Sequence, residues 1–330
     1  MNITVIGAGA WGTALAISLA ASHRVTLWAR DATQIEAMRA TRRNQRYLPH
    51  NPLPDDLELS ADFPAALGEA ELAILAVPTA ALRVTLQQLA QHGRRIDVVW
   101  VCKGFEAETS LLPHQVAAEV LPEGFRRGVL SGPSFAQEVA RGLPTALTLA
   151  SADEEFAQRT AQALHHARLR IYASNDVTGV EVGGAVKNVM AIAAGICDGL
   201  KLGHNARAAL LTRGLAEITR LGLKLGGRTE TLGGLSGAGD LILTCTGDLS
   251  RNRQVGLMLV QQHELPEILE RLGHVAEGVY TVREVHRLAQ HLGVAMPICE
   301  AVYRILYEHT PVAEAVTGLL NRAPNLEFNQ

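Results

Sequence analysis

Paired cysteines are absent from this sequence. Its four cysteines, Cys102, Cys197, Cys245 and Cys299, are scattered along the chain and form no C-x-x-C motif. This scatter argues against a disulfide framework and against a cysteine zinc site, and it fits a reducing compartment. Because the first predicted strand begins at residue 2, we expect no signal peptide and a cytoplasmic location.

An excess of one charge and long apolar runs are also absent. The net charge is −3, which argues against non-specific binding to nucleic acid or to anionic membranes. No uninterrupted apolar run approaches the roughly 18 residues of a membrane-spanning helix, so no stable membrane insertion is expected. The 12 histidines show no helical metal-binding spacing to another histidine or to an acid, so we predict no metal.

The first dozen residues carry the strongest local pattern. A β-branched run at residues 2–6 predicts a buried strand, and Gly7, Gly9 and Gly12 follow at the spacing G-x-G-x-x-G before a helix that starts near Thr13. In this context Gly7 permits a tight turn, Gly9 lets the backbone approach a pyrophosphate, and Gly12 lets the helix pack closely. The bare spacing can arise by chance, but strand, turn and helix together predict dinucleotide binding.

The tip of the second strand departs from the usual NAD pattern. An NAD site commonly places an acid there to bind the ribose 2′-hydroxyl, whereas this chain has Arg30 followed by Asp31. An arginine can pair with a 2′-phosphate. Asp31 is the competing candidate, but it also fits the N-cap of a helix over 32–40. The sequence therefore favours NADP(H), with NAD(H) as the alternative.

Alternating strands and helices predict an α/β fold for the first half of the chain. At 330 residues the chain is long enough for two domains. Strand-like runs recur to about residue 173, and helices dominate from there to the end. We predict a Rossmann-type doubly wound parallel sheet over 1–175, followed by an all-α substrate-binding and catalytic domain over 176–330. The further predicted strands are Leu72–Val77, Asp97–Cys102, Gly128–Leu130, Thr145–Leu149 and Arg168–Tyr172.

Ligands bind such sheets at the carboxyl ends of the strands. Lys103 follows one predicted strand, and the small residues 131–134 follow the next. A lysine there fits an anion contact or a proton donor, and the hydroxyl-bearing loop fits close approach of a ligand. An ordinary exposed lysine and a plain turn are the alternatives.

The predicted helix Val177–Asp198 is apolar around most of its circumference, so it should be buried. Gly183 and Gly184 interrupt it at a cost of about 1 kcal/mol each relative to alanine, which suggests that something lies against the backbone. Lys187 comes one turn later. Burial of a lysine lowers its pKa into a range useful for proton transfer, whereas a lysine that extends to the surface is the alternative.

A basic cluster begins a later helix. Ser250 fits an N-cap, and Arg251 and Arg253 occupy the first turn, where the helix dipole favours anions. Hydroxyl, guanidinium and free N–H groups together indicate a phosphate site. A solvent-facing basic turn is the alternative.

Taken in order, these motifs resemble one family. The chain resembles the bacterial NAD(P)-dependent glycerol-3-phosphate dehydrogenases over essentially its whole length. The motifs that carry the resemblance are Lys103-Gly104, Ser131–Ala136, Gly183–Asn188, Gly237–Leu241 and Ser250–Arg253. It implies reversible reduction of dihydroxyacetone phosphate to sn-glycerol 3-phosphate, which supplies phospholipid synthesis, and a 6-phosphogluconate dehydrogenase-like helical domain. A homodimer is compatible with this resemblance.

The resemblance also implies roles for individual residues. Lys187 matches the proton-transfer lysine of the family. The matches to its substrate contacts are Lys103, Gly132, Ser134, Lys187, Asp240, Ser250, Arg251 and Asn252. The matches to its cofactor contacts are Gly7, Gly9, Ala10, Trp11, Gly12, Arg30, Lys103, Ala136, Arg251, Val275 and Glu277. We expect Asp240 and Asn188 to orient Lys187, and Arg251 with Asn252 to hold the phosphate.

Two positions depart from the family pattern, and two other functions stay open. Phe105 stands where members often carry Leu or Ile, and Gly203-His204 stands where many carry Gly-Asp or Gly-Ala. Neither position is catalytic, although His204 could alter the rim of the pocket. A β-hydroxyacid dehydrogenase of the same architecture, which reads a carboxylate, is one alternative. A dinucleotide-sensing protein without turnover is the other.

Overall fold

The computed structural model describes residues 1–273 and 276–322. They form an N-terminal Rossmann-type domain and a helical C-terminal domain, as the sequence predicts. The last strand ends at Ser174 and the long helix begins at Val177. The division between residues 175 and 176 stays a prediction.

Ten strands lie in the described part of the chain. They are β1 (Asn2–Ile6), β2 (Arg24–Trp28), β3 (Arg43–Asn44), β4 (Leu48–Pro52), β5 (Glu58–Ser60), β6 (Leu72–Leu75), β7 (Asp97–Trp100), β8 (Arg127–Ser131), β9 (Thr145–Ala150) and β10 (Leu169–Ser174). Strands β3 and β4 pair with each other, and the other eight form one sheet in the order β10-β9-β8-β7-β6-β1-β2-β5. The strand order reverses between β1 and β6, and this switch point creates the crevice in which doubly wound folds bind nucleotides.

The prediction of a fully parallel sheet is wrong at one pair. Strand β9 runs antiparallel to β8, with Leu130 opposite Leu149, while β10 pairs with β9 in parallel. Because the chain between β8 and β9 carries only a short helix, it returns from the same edge of the sheet instead of crossing over. The other six strands of this sheet, β8, β7, β6, β1, β2 and β5 in spatial order, are parallel to one another. Their carboxyl ends therefore share one edge of the sheet.

Side chains alternate across the sheet and create two apolar layers. On β1, Ile3 and Val5 pack into one buried cluster and Ile6 packs into the other, on the opposite face. Helices cover both faces, as expected for a largely parallel sheet. The helices of this half are α1 (Ala10–Ala20), α2 (Ala32–Thr41), α3 (Phe63–Leu67), α4 (Thr79–Gln91), α5 (Pro113–Val120), α6 (Ala136–Ala140) and α7 (Glu154–Leu164).

The second half is helical throughout its described residues. Its helices are α8 (Val177–Gly199), α9 (His204–Lys224), α10 (Thr229–Leu232), α11 (Asp240–Thr246), α12 (Arg251–Val260), α13 (Leu265–Leu272), α14 (Glu277–Leu292), α15 (Pro297–Tyr307) and α16 (Val312–Leu320). A π-helical turn, Leu235–Gly239, leads directly into α11. No pattern in the sequence indicated this π-helical geometry.

Helix α8 is the centre of the helical domain. It is long and apolar enough to cross a membrane by length and composition, yet its apolar window is entirely buried inside the fold. It packs against α9, α11, α12 and α14. A search for uninterrupted apolar runs overlooks this helix because Glu181, Lys187 and Asn188 interrupt it. These polar groups therefore lie in the interior of the domain.

Candidate active site

The glycine turn fits a bound dinucleotide. Gly7 has a φ of +113°, a conformation that glycine adopts without strain. A Cβ on Gly12 would lie 1.9 Å from the carbonyl oxygen of Gly7, so the helix can approach the strand only with glycine there. A Cβ on Gly9 would meet nothing within 4 Å. The backbone is thus packed tightly at two glycines and is open at the third, where a ligand can approach.

Four further predicted cofactor contacts lie at the start of α1, at the start of α6 and just beyond β2. Ala10 and Trp11 begin α1, whose N-terminus points free N–H groups outward. Trp11 packs with Ala136, the first residue of α6, in one small apolar cluster. Arg30 is exposed just beyond β2. Asp31 caps α2 by accepting hydrogen bonds from the N–H groups of residues 33 and 34, which confirms its predicted N-cap role.

Two lysines and one aspartate form the polar centre of the site. We call Lys103, Lys187 and Asp240 the lysine–aspartate cluster. Lys187 Nζ pairs with Asp240 Oδ1, and Lys103 Nζ lies 2.6 Å from Asp240 Oδ2. Lys103 also donates to the carbonyl oxygen of Gly132, at 3.1 Å. The carboxylate is 0% exposed, and both of its oxygens are thereby charge-paired. A residue after β7, one on α8 and one on α11 meet here.

Burial sets the proton affinity of Lys187. The pKa of Lys187 is lowered from 10.5 to about 8: desolvation lowers it most, the Asp240 carboxylate raises it, and the nearby Lys103 ammonium lowers it. The lowered pKa agrees with the expectation from burial of the lysine. An amine with a pKa close to the working pH can both give and take a proton.

Thr244 holds Lys187 where the sequence predicted Asn188. The Thr244 hydroxyl accepts from Lys187 Nζ at 2.9 Å and donates to the carbonyl oxygen of Asp240 at 2.6 Å. Asn188 is bonded elsewhere, because its Oδ1 accepts from Asn252 Nδ2 at 3.0 Å. Adjacent helical residues project about 100° apart, so Asn188 cannot share the direction of Lys187. The i, i+4 spacing of Asp240 and Thr244 was the available signal for Thr244.

The two glycines in the middle of α8 make room for other segments of the chain and not for a ligand. A Cβ on Gly183 would lie 2.6 Å from the carbonyl oxygen of Ser236 in the π-helical turn. A Cβ on Gly184 would lie 2.9 Å from the Ser131 hydroxyl and 3.5 Å from the Lys103 side chain. The expected close neighbour therefore exists, but it is the chain itself. These glycines let the sheet edge and the π-helical turn reach the lysine–aspartate cluster.

The basic turn of α12 divides into one paired and one unpaired arginine. Ser250 caps the helix by accepting from the Arg253 N–H at 3.2 Å. Arg253 pairs with Asp198 at 2.8 Å and with Asp248 at 3.0 Å. The anions that neutralise this guanidinium are therefore carboxylates of the protein itself. Arg251 forms no ion pair with any residue in 1–273 or 276–322. It is exposed, yet desolvation by the surrounding protein lowers its pKa.

Asn252 joins this turn to the start of α14. Its Nδ2 donates to Asn188, and its Oδ1 accepts from the Gly278 N–H at 3.0 Å. The residue before Gly278, Glu277, accepts from the Thr79 N–H at 3.4 Å and interacts with Arg251. Burial raises the pKa of Glu277. The side-chain amide of Asn252 therefore makes most of its hydrogen bonds within the protein.

The loop after β8 completes the set of predicted substrate contacts. Gly132 has a φ of +138°, and its carbonyl oxygen accepts from both Lys103 and the Ser134 hydroxyl, the latter at 3.1 Å. Val275 lies outside the described residues. His204 is exposed at the start of α9, where its Nδ1 lies 3.1 Å from the guanidinium of Arg207.

One expectation about histidine spacing is wrong. His263 Nδ1 lies 3.1 Å from Glu267 Oε2, an i, i+4 pair on and beside α13. Within residues 1–273 and 276–322 no group of three or more His, Cys, Asp or Glu side chains could hold a metal ion. All four cysteines are free and buried.

Known proteins match this chain along nearly its full length. Residues 2–157 match the family described as NAD-dependent glycerol-3-phosphate dehydrogenase N-terminus, and residues 176–317 match the C-terminus of the same family. Glycerol-3-phosphate dehydrogenase (NAD(P)+) from Thiobacillus denitrificans is 64% identical over 328 residues, which cover 99% of this chain and 100% of that protein.

Solved structures of glycerol-3-phosphate dehydrogenases match the fold of this chain. The crystal structure of glycerol-3-phosphate dehydrogenase from Coxiella burnetii has a TM-score of 0.93 and 43% identity, covering 97% of this chain and 99% of that one. The enzyme from Saccharomyces cerevisiae has a TM-score of 0.82 and 29% identity, covering 98% and 99%. Sequence, fold and full-length coverage lead to one conclusion: the chain belongs to the NAD-dependent glycerol-3-phosphate dehydrogenase family.

Proposed function

We propose that this chain catalyses the reversible reduction of dihydroxyacetone phosphate to sn-glycerol 3-phosphate, with Lys187 as the proton-transfer residue. The observation that carries the proposal is the lysine–aspartate cluster. It buries an ammonium group with a pKa near 8 at the edge of the sheet where the parallel strands end. Ketone reduction needs such a group, because the carbonyl oxygen gains negative charge and then a proton.

The site offers a distinct place for each end of the substrate. Arg251, exposed and without an ion-pair partner among the described side chains, is suited to the phosphate. The free N–H groups at the start of α12 add to this preference for an anion. The lysine–aspartate cluster then receives the ketone end of the substrate. Asn252, in the first turn of α12, is hydrogen-bonded to Asn188, which is the residue next to Lys187, so the two places are adjacent.

The protein side of the chemistry is proton transfer at Lys187 Nζ. The glycine turn at residues 7–12 would hold a nicotinamide dinucleotide, which would supply the hydride for C2 of the ketone. Lys187 gives its proton to the substrate oxygen during reduction and takes it back during oxidation. Asp240 and Thr244 fix the direction of Nζ, and Lys103 places a second positive charge near the developing oxyanion.

The glycine turn and Arg30 support a dinucleotide cofactor, with NADP(H) favoured over NAD(H). Arg30 is exposed at the tip of β2, where a 2′-phosphate could meet its guanidinium. Use of NAD(P) is a property of the named relatives in general. The preference between the two cofactors is a proposal about this chain.

Two further expectations also remain proposals. The four buried free cysteines fit a reducing compartment, which supports a cytoplasmic location. A homodimer is expected to be detectable by sedimentation velocity.

The test is oxidation of NADPH with three substrates. Dihydroxyacetone phosphate should be reduced, while unphosphorylated dihydroxyacetone should be a poor substrate and a β-keto acid should give no turnover. Faster turnover of the β-keto acid would favour a β-hydroxyacid dehydrogenase. Cofactor binding without turnover of any substrate would favour a dinucleotide-sensing protein.

A further inference from the structure

The loop that follows β7 contains two residues in an unfavourable backbone conformation. Glu108 has a φ of +70° and Ser110 a φ of +56°, both in the left-handed region that non-glycine residues rarely occupy. Such residues persist where surrounding contacts fix them, and they concentrate at functional sites. The loop, residues 104–112, directly follows Lys103.

Two side chains of α14 hold these two residues. Arg287 Nη1 donates to the carbonyl oxygen of Glu108 at 2.8 Å. The Ser110 hydroxyl donates to Glu284 Oε2 at 2.7 Å. Arg287 and Glu284 in turn form an ion pair at 3.1 Å. We call Glu284 and Arg287 the α14 pair. Each unfavourable residue thus has its own contact, and the two contacts are joined.

Glu284 is buried at the centre of these contacts. It is 1% exposed, although a charged side chain in the interior is costly unless it is paired and hydrogen-bonded. Its Oε2 receives both Ser110 and Arg287, and its Oε1 lies 3.3 Å from Arg283. The Glu284 carboxylate therefore links the loop to α14 through a hydrogen bond and ion pairs, which an apolar side chain at this position could not form.

The start of the loop is also closed against the same helix. A Cβ on Gly104 would lie 3.0 Å from the Thr79 hydroxyl and 3.3 Å from the Thr281 hydroxyl of α14. Phe105 is 5% exposed and packs in the apolar core of the helical domain. A movement of the loop away from α14 would therefore pull on the backbone next to Lys103.

We propose that Glu284 and Arg287 are positioning residues, which hold the loop 104–112 on α14 and thereby keep Lys103 Nζ on Asp240 beside Lys187. Neither touches the reacting atoms. The inference rests on the proposed function, because it assumes that Lys187 transfers the proton. It assigns a catalytic consequence to an ion pair that makes no direct contact with the lysine–aspartate cluster.

The pH profile of kcat/KM separates positioning from simple stability. Asp240 on α11 and Lys103 after β7 are the charged groups that act on Lys187, and they shift its pKa in opposite directions. Removal of Lys103 from the cluster takes away a neighbouring positive charge, so the Lys187 inflection should move to higher pH. A variant that only weakens folding would leave the inflection of the folded fraction unchanged.

The variants are Glu284→Gln and the milder Ser110→Ala. Both should lower kcat/KM for dihydroxyacetone phosphate by about tenfold, in line with the sensitivity of catalysis to small misplacements, and both should raise the inflection pH. The double variant should cost less than the product of the single effects, since the two side chains share one hydrogen bond. Glu108→Gly is the matched control. It relaxes the backbone but keeps the carbonyl that Arg287 binds, so the inflection should stay in place.

The outcomes are distinguishable from failure of the proposed function. If the wild type does not reduce dihydroxyacetone phosphate, the proposed function itself is wrong. If the wild type is active with an inflection near pH 8, but Glu284→Gln and Ser110→Ala keep that inflection, the positioning role is overturned. A lower melting temperature without a shifted inflection would overturn it as well, because the two side chains would then act on stability alone.

Discussion

Lys187 and Asp240 form a buried ion pair between α8 and α11, and Lys103 reaches the second oxygen of the same carboxylate at 2.6 Å. One negative charge thus faces two positive charges in the interior. The unbalanced charge favours an anion, and the substrate oxygen becomes more negative as reduction proceeds. The ion pair is therefore arranged for chemistry as much as for stability, because buried pairs are on balance weak stabilisers.

Replacement of Asp240 by Asn should shift the Lys187 inflection to lower pH. The carboxylate is the main group that raises this pKa, so its loss leaves burial and Lys103 unopposed. Removal of one partner of a buried pair also costs about 3–5 kcal/mol of stability. Urea unfolding and pH profiles of kcat/KM measure the two effects. An inflection that moves upward would contradict the arrangement of charges described here.

Replacement of Arg251 by Ala should lower kcat/KM for dihydroxyacetone phosphate by about tenfold to a hundredfold. A hydrogen bond to a charged group is worth roughly 1.5–3 kcal/mol. The loss should shrink for unphosphorylated dihydroxyacetone, and Arg251→Lys should keep part of the activity because the charge remains. Equal losses with both substrates would mean that Arg251 does not bind the phosphate.

Replacement of Arg30 by Asp should raise KM for NADPH more than KM for NADH. The exposed guanidinium at the end of β2 can bind a 2′-phosphate, which NADH lacks. Arg168→Asp makes the same charge change at an exposed position before β10 and should leave both constants unchanged. Equal effects of Arg30→Asp on the two cofactors would remove the basis for favouring NADP(H).

Replacement of Glu217 by Gln should flatten the pH dependence of stability. Glu217 on α9 accepts from the N–H groups of Ile298 and Cys299 at 2.7 and 3.2 Å, and burial raises its pKa to about 7. Its folded-state pKa exceeds the unfolded value of 4.5. Its contribution is therefore full below that value and is lost as pH rises to about 7. The decline should be visible in urea midpoints of the wild type between pH 4.5 and 7 and should be weaker in Glu217→Gln.

Much of the fold could be predicted from short-range patterns. The strand, the three glycines and the helix near the N-terminus are local features, and the structure gives Gly7 and Gly12 the roles expected of them. Lys103 and Lys187 were singled out from their positions after a strand and inside an apolar helix. The structure places both on Asp240.

Other features depend on contacts that no local pattern reveals. The reversal of β9 depends on which edge the chain re-enters after β8. Asn188 follows Lys187 directly, so sequence proximity favoured it as an orienting group, whereas helical geometry turns it toward Asn252. Arg253 resembled Arg251 in sequence, but Asp198, in a distant part of the chain, neutralises it. Pairings between distant segments decide all three.

The most direct test of the account is the pH–rate profile in both directions, for the wild type and for Lys187→Met. Reduction needs the protonated amine, so kcat/KM for dihydroxyacetone phosphate should fall as pH rises through about 8, while kcat/KM for oxidation of glycerol 3-phosphate should rise over the same range. Lys187→Met should lose about 10²–10⁴-fold in kcat while it still binds NADPH. Lys224→Met, a change at an exposed lysine, should behave as the wild type. A Lys187→Met variant that keeps more than about a tenth of wild-type kcat, with the inflections in place, would contradict the account and leave Lys103 as the next candidate.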